Sequence, residues 1–167
     1  MIQRIQTVYM LLAIVCVVLG LCNPIGGITA EDGGSAVLYN LWLSLSGESG
    51  GTEHIVMPWA ALFALLVLVA TVLTIAIFMF KKRALQMRIV NFSMLILVGY
   101  YLAGVAFLLL NKYDGDASLL SAFRPTVWAA MPFVALILSY LAFRGILKDQ
   151  LLIKSLDRSM PVSLLLR

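Results

Sequence analysis

Three observations predict an all-α integral membrane protein, a bundle of four transmembrane helices with one outer loop over residues 23–56. Of the 167 residues, 62% are hydrophobic and only 12% charged, whereas soluble domains carry about a quarter charged residues. A chain of this length could not hide that much apolar surface from water. Four long runs carry no charge, and nearly all Lys and Arg residues fall on one side of them. The whole chain, 1–167, is expected to form a single transmembrane domain.

The spans are expected at about 5–22, 57–80, 89–110 and 125–143. Each has roughly the 17 to 25 residues that cross a hydrocarbon core about 30 Å thick. Span one follows Arg4 and could be taken for a signal peptide. No small-x-small site adjoins its apolar run, however, and Leu21 stands where a lipoprotein site needs a small residue, so span one is expected to be retained. Span two is the most apolar: 13 residues from Ala60 to Phe80 are Leu, Ile, Val or Phe, roughly 4 to 8 kcal/mol in favour of insertion. Pro58 and Pro125 suit the first position of spans two and four, where a missing N–H costs nothing. Pro132, inside span four, is expected to kink it. The tail 144–167 has helix-forming residues without a clean amphipathic stripe, so it reads as span four running on and fraying near Pro161.

In the outer loop, glycines bracket two apolar stretches, Ile28 to Ala30 and Val37 to Leu45, and Glu31-Asp32-Gly33-Gly34 is turn chemistry. Leu41, Leu43 and Leu45 alternate with Trp42, Ser44 and Ser46, the period of a strand with one packed face. A β-hairpin is expected, held by the membrane surface or a partner because a lone hairpin is marginal in water. The alternative is an irregular loop with Trp42 at headgroup level.

Orientation follows from charge. Arg4, Lys81, Lys82, Arg83, Arg88, Arg144, Lys148, Lys154, Arg158 and Arg167 lie on one side, and only Lys112 and Arg124 on the other. Basic flanks resist translocation, so both termini are expected in the cytoplasm. The formal net charge of +4 is thereby explained by topology, and nucleic acid is not an expected partner. Membrane lipid is, together with another membrane protein or a second copy of the chain.

Catalysis or ion coupling within lipid usually needs an intramembrane ionisable group. All four spans lack Asp, Glu, Lys, Arg and His. That excludes a proton-coupled small multidrug exporter, and no catalytic, cofactor or metal residue is assigned. His54 is the only histidine and has no cysteine cluster beside it. Cys16 and Cys22 lie six apart, about 9 Å along one helix and on different faces, so they cannot bridge as the C-x-x-C pair of a membrane thiol oxidase would. The polar side chains left inside are Tyr100, Tyr101, Thr71, Thr74 and Ser139. Beside them Gly99, Ala103 and Gly104 face Ala60 and Ala64 as a stripe expected to let helices approach closely. These residues read either as interhelical hydrogen bonding or as the hydroxyls of a small apolar pocket for a lipid or quinone-like ligand.

Met1-Ile2-Gln3-Arg4-Ile5-Gln6-Thr7, the turn Lys81-Lys82-Arg83-Ala84-Leu85-Gln86-Met87-Arg88, and Arg144-Gly145-Ile146-Leu147-Lys148-Asp149 followed by Lys154-Ser155-Leu156-Asp157-Arg158 together resemble the bacterial membrane family DUF4293, a domain of unknown function. The resemblance covers nearly the whole chain except the apolar end from Ser159 to Arg167. It implies four helices, the bacterial inner membrane and no assigned activity. Its motif residues Gln3, Gln6, Gln86, Arg88, Lys148 and Asp149 should cluster at the cytoplasmic face, bracing helix ends or docking a partner. The expected role is an accessory or assembly subunit of a membrane complex and not an enzyme, with a binder or carrier of a small apolar ligand or lipid as the alternative.

Overall fold

The computed structural model describes residues 2–29, 35–41, 43–46, 52–55, 60–79, 83–110 and 123–159. Four helices dominate: α1 (Ile2–Cys22), α2 (Ala60–Phe78), α3 (Arg83–Leu110) and α4 (Met131–Ser159). All four are long and apolar enough to cross a membrane. They form a closed ring in which α1 packs on α2, α2 on α3, α3 on α4 and α4 on α1. One end of the ring carries a β-sheet; the other, the terminal end, carries the start of α1 and the end of α4.

Apolarity does not distinguish the inside of this bundle from the outside. Large apolar side chains such as Val8, Ile75, Leu95 and Ile137 are exposed on all four helices. The buried seams are marked by spacing and size instead. Gln6, Met10, Ala13, Val17 and Gly20 of α1 are buried at alternating steps of four and three, as are Leu62, Leu66, Val69, Leu73 and Ala76 of α2. On α3 the seam is Gln86, Val90, Ser93, Leu97 and Tyr100, and on α4 it is Pro132, Ala135, Ser139, Ala142 and Ile146. This is the 3.5-residue repeat of side chains meshing along near-parallel helices. Small residues are frequent in it, and they let helix backbones approach closely enough for dispersion to hold them.

The sheet corrects the all-α expectation. The outer loop forms four strands and not a two-stranded hairpin: β1 (Gly26–Thr29), β2 (Ser35–Leu38), β3 (Leu43–Ser46) and β4 (Thr52–Ile55). A fifth, β5 (Phe123–Pro125), comes from the segment before α4 and completes an antiparallel sheet of order β4-β3-β2-β1-β5. The expected pairing of the first two apolar stretches is present, with Gly26 opposite Leu38. The stretch Val37 to Leu45, however, is broken between β2 and β3 and folds back on itself. Alternation is real on β2, where Ala36 and Leu38 are buried and Val37 is exposed. That inner face merges with the bundle in one apolar core that also takes in Ile28, Leu62, Leu97 and Leu108.

Helix ends differ from the charge-free runs because hydropathy marks an apolar zone, not a hydrogen-bonded one. Helix α3 begins at Arg83, before the predicted span, and α4 runs to Ser159, well beyond Phe143. Pro125 closes β5 and opens no helix. A 3₁₀ turn, Val127–Ala130, intervenes. Pro132 consequently sits in the first turn of α4, where its missing N–H breaks no helical bond, and the expected mid-helix kink has no site. Pro58, Trp42 and Pro161 lie outside the described residues.

Candidate functional site

Beneath the sheet lies a cavity of about 200 Å³. Ile25 and Leu38 roof it, Leu62 of α2 and Leu108 of α3 wall it, and Phe123 and Pro125 of β5 close one side. Tyr100, Tyr101 and Gly104 line its floor along α3. Two glycines shape it in opposite ways. A Cβ on Gly104 would meet nothing within 4 Å, so this glycine leaves space unfilled. A Cβ on Gly26 would come within 2.4 Å of the Phe123 ring, so only glycine lets that ring cross β1 to reach the cavity. Gly99 also faces open space, which corrects the expectation that Gly99 and Gly104 bring helices together.

A short polar relay pins the roof to the bundle. Asn40, just after β2 and only 1% exposed, donates from Nδ2 to the carbonyl of Gly20 at 2.6 Å. Tyr100 donates its hydroxyl to Asn40 Oδ1 at 2.7 Å. Tyr101 donates to the Ala129 carbonyl at 2.8 Å, anchoring the 3₁₀ turn, and its ring meets that of Tyr100 edge to face, centroids 5.3 Å apart. Ile25 N–H donates to Leu38 and Thr126 N–H to Ile25, each at 2.8 Å, tying β1 to both neighbours. Each phenol has its proton engaged while its oxygen retains acceptor capacity.

The five predicted intramembrane polar residues therefore do not form one cluster. Thr71 and Thr74 are exposed and return their hydroxyls to the carbonyls of Leu68 and Ala70 in their own helix. Ser139 is fully buried, and its Oγ has no hydrogen-bond partner. Only the two tyrosines share a site.

At the terminal end, Gln6 donates from Nε2 to Asp149 Oδ2 at 3.0 Å. Gly145, one turn before Asp149, makes room for this: its Cβ would lie 3.0 Å from Gln6 Cγ. Gln86 is buried, with Nε2 3.9 Å from the Met10 sulfur. Arg88 and Lys148 are exposed. Of the six residues expected to act together, three are thus packed inward and two point outward, while the side chain of Gln3 lies outside the described residues.

Gln6, Gln86, Gly145 and Asp149, all within the segments that carried the resemblance, thus each touch a neighbouring helix. The chain matches the family described as Domain of unknown function (DUF4293) over residues 2–159. It belongs to that family. No curated protein matches it. Among the described residues of this DUF4293 protein, no three His, Cys, Asp or Glu side chains come together as a metal site. Cys16 and Cys22 are free thiols, and His54 pairs through its backbone with Ser44. Sequence reasoning missed Asn40, Gly26 and Phe123. One signal was available: Asn40 is a lone amide between apolar Leu38 and Leu41, and a buried amide needs partners.

Proposed function

We propose that this DUF4293 protein is a multi-pass protein of the bacterial inner membrane, with both termini cytoplasmic, that binds one apolar chain in the cavity under its external sheet. The exposed apolar side chains on every helix and the 10-to-2 bias in basic residues support the membrane setting and orientation. The observation that carries the binding role is the unfilled, apolar space at Gly104 in an otherwise meshed bundle. About 200 Å³ is below the roughly 300 to 1,000 Å³ of sites for drug-sized molecules. The cavity therefore suits part of an acyl or prenyl chain, with the two tyrosine oxygens able to accept from a polar group on it.

Gly104→Leu tests this, because Gly104 lines the cavity and a Cβ there meets nothing within 4 Å, so the longer side chain takes up cavity space. Native mass spectrometry of the full-length protein should show a copurified apolar ligand that the variant loses while its melting temperature holds or rises. A ligand retained in the variant would sink the reading.

The accessory or assembly subunit remains a second reading, favoured by α3. Leu102 is 67% and Leu110 80% exposed. Another membrane protein or a second copy would cover them, and in-cell crosslinking from Leu102→Cys would then capture that chain.

A further inference from the structure

We propose a second lipid site, separate from the cavity: a furrow between α2 and α3 at the terminal end that seats one anionic glycerophospholipid of the cytoplasmic leaflet. The proposal rests on the membrane reading above, not on the cavity. Val72 and Ile75 of α2 and Ile89 and Phe92 of α3 wall an open apolar furrow of about 410 Å³, with Arg88 beside it. Ile75 is 52% and Phe92 55% exposed, so no other part of the described fold covers them. Arg88 stands five residues into α3, about 7 Å from the terminal end along the axis. With the termini cytoplasmic, that depth is where headgroups meet hydrocarbon.

Two chemistries adjoin here and one class of molecule carries both. The furrow matches an acyl chain, and Phe92 lies one turn deeper than Arg88, about 6 Å. The guanidinium matches a phosphate, to which it can present two parallel N–H donors. Arg88 is exposed, and no carboxylate pairs with it among the described residues. Because arginine keeps its charge at this boundary, an anion beside it relieves the cost of placing a cation next to lipid.

The test uses full-length protein from vesicles holding equal amounts of phosphatidylglycerol and phosphatidylcholine with identical acyl chains, read by native mass spectrometry. Bound phosphatidylglycerol should exceed phosphatidylcholine about fivefold, the factor one basic side chain contributes at an anionic surface. Arg88→Gln should abolish the preference and Arg88→Lys should keep most of it. Arg144→Gln, which removes an exposed cation of α4 outside the furrow, should leave it intact. An unchanged preference in Arg88→Gln, an equal loss in Arg144→Gln, or crosslinking of Ile75→Cys to a second protein chain in place of lipid would overturn the proposal. Protein that enters vesicles without lipid preference defeats this site alone. Protein that does not enter them defeats the membrane reading and the site together.

Discussion

Gln6 Nε2 and Asp149 Oδ2 meet at 3.0 Å across 143 positions of sequence, and the bond closes the seam between α1 and α4 at the terminal end. The same two helices touch at the sheet end, where Gly20 packs on Pro132. Gly145 allows the Gln6 stem to lie flat on α4, and one turn later Asp149 receives its amide. The pair joins two of the motif segments to each other, with Gln6 buried and Asp149 half-buried.

Asp149→Ala should therefore lower the melting temperature in detergent, because Gln6, only 5% exposed, loses its acceptor at a cost of about 1 to 3 kcal/mol. Asp149→Asn keeps an acceptor and should cost less. Arg88→Ala and Lys148→Ala should leave the midpoint unmoved. Equal losses from all three alanine variants would contradict the division into inward and outward residues.

Removing the hydroxyl in Tyr100→Phe leaves the buried Oδ1 of Asn40 without its donor. The expected loss is about 1 to 2 kcal/mol, above the roughly 0.6 kcal/mol average of a hydrogen bond between membrane helices. Tyr101→Phe should cost nearer that average, since its acceptor is a carbonyl of the adjoining turn. Thermal unfolding of both variants would settle the order, and a more damaging Tyr101→Phe would refute it.

Gly26→Ala should destabilise the sheet end because the new methyl meets the Phe123 ring and the Arg124 carbonyl. Combining it with Phe123→Leu should recover part of the loss by removing the ring. If the double variant is no better than the single one, the contact between Gly26 and Phe123 is not what limits β5.

Ser139→Ala should be neutral or stabilising, since Oγ is buried without a partner and an unpaired hydroxyl is costly to desolvate. A drop of more than about 1 kcal/mol would show that the hydroxyl has an acceptor after all.

Topology can be read with an impermeant thiol reagent on intact cells, in a background with Cys16 and Cys22 replaced by Ser. Thr126→Cys, on the exposed sheet end, should be labelled, whereas Ser155→Cys near the end of α4 should be protected. The opposite pattern would invert the orientation derived from the basic residues.

The four helices were legible in the sequence because a charge-free run long enough to cross a membrane is a one-dimensional signal, and backbone hydrogen bonds within each helix need no distant partner. The family was legible in three polar segments. The burial pattern was not, since outward Leu, Ile and Val are as apolar as those in the core, and the seams differ only in a 3.5-residue spacing rich in Ala, Ser and Gly. The sheet was half legible: turn glycines and alternation pointed to the pairing of β1 with β2, but β5 comes from beyond α3, and no local pattern announces a strand that pairs across almost a hundred residues. Tertiary structure decided how the site is roofed and closed. Tyr100 and Gly104 are one turn apart on α3, but Asn40 and Phe123 come from distant segments, and the cavity exists because the sheet's backbone bonds hold its roof above α3 while the glycine below leaves the space empty.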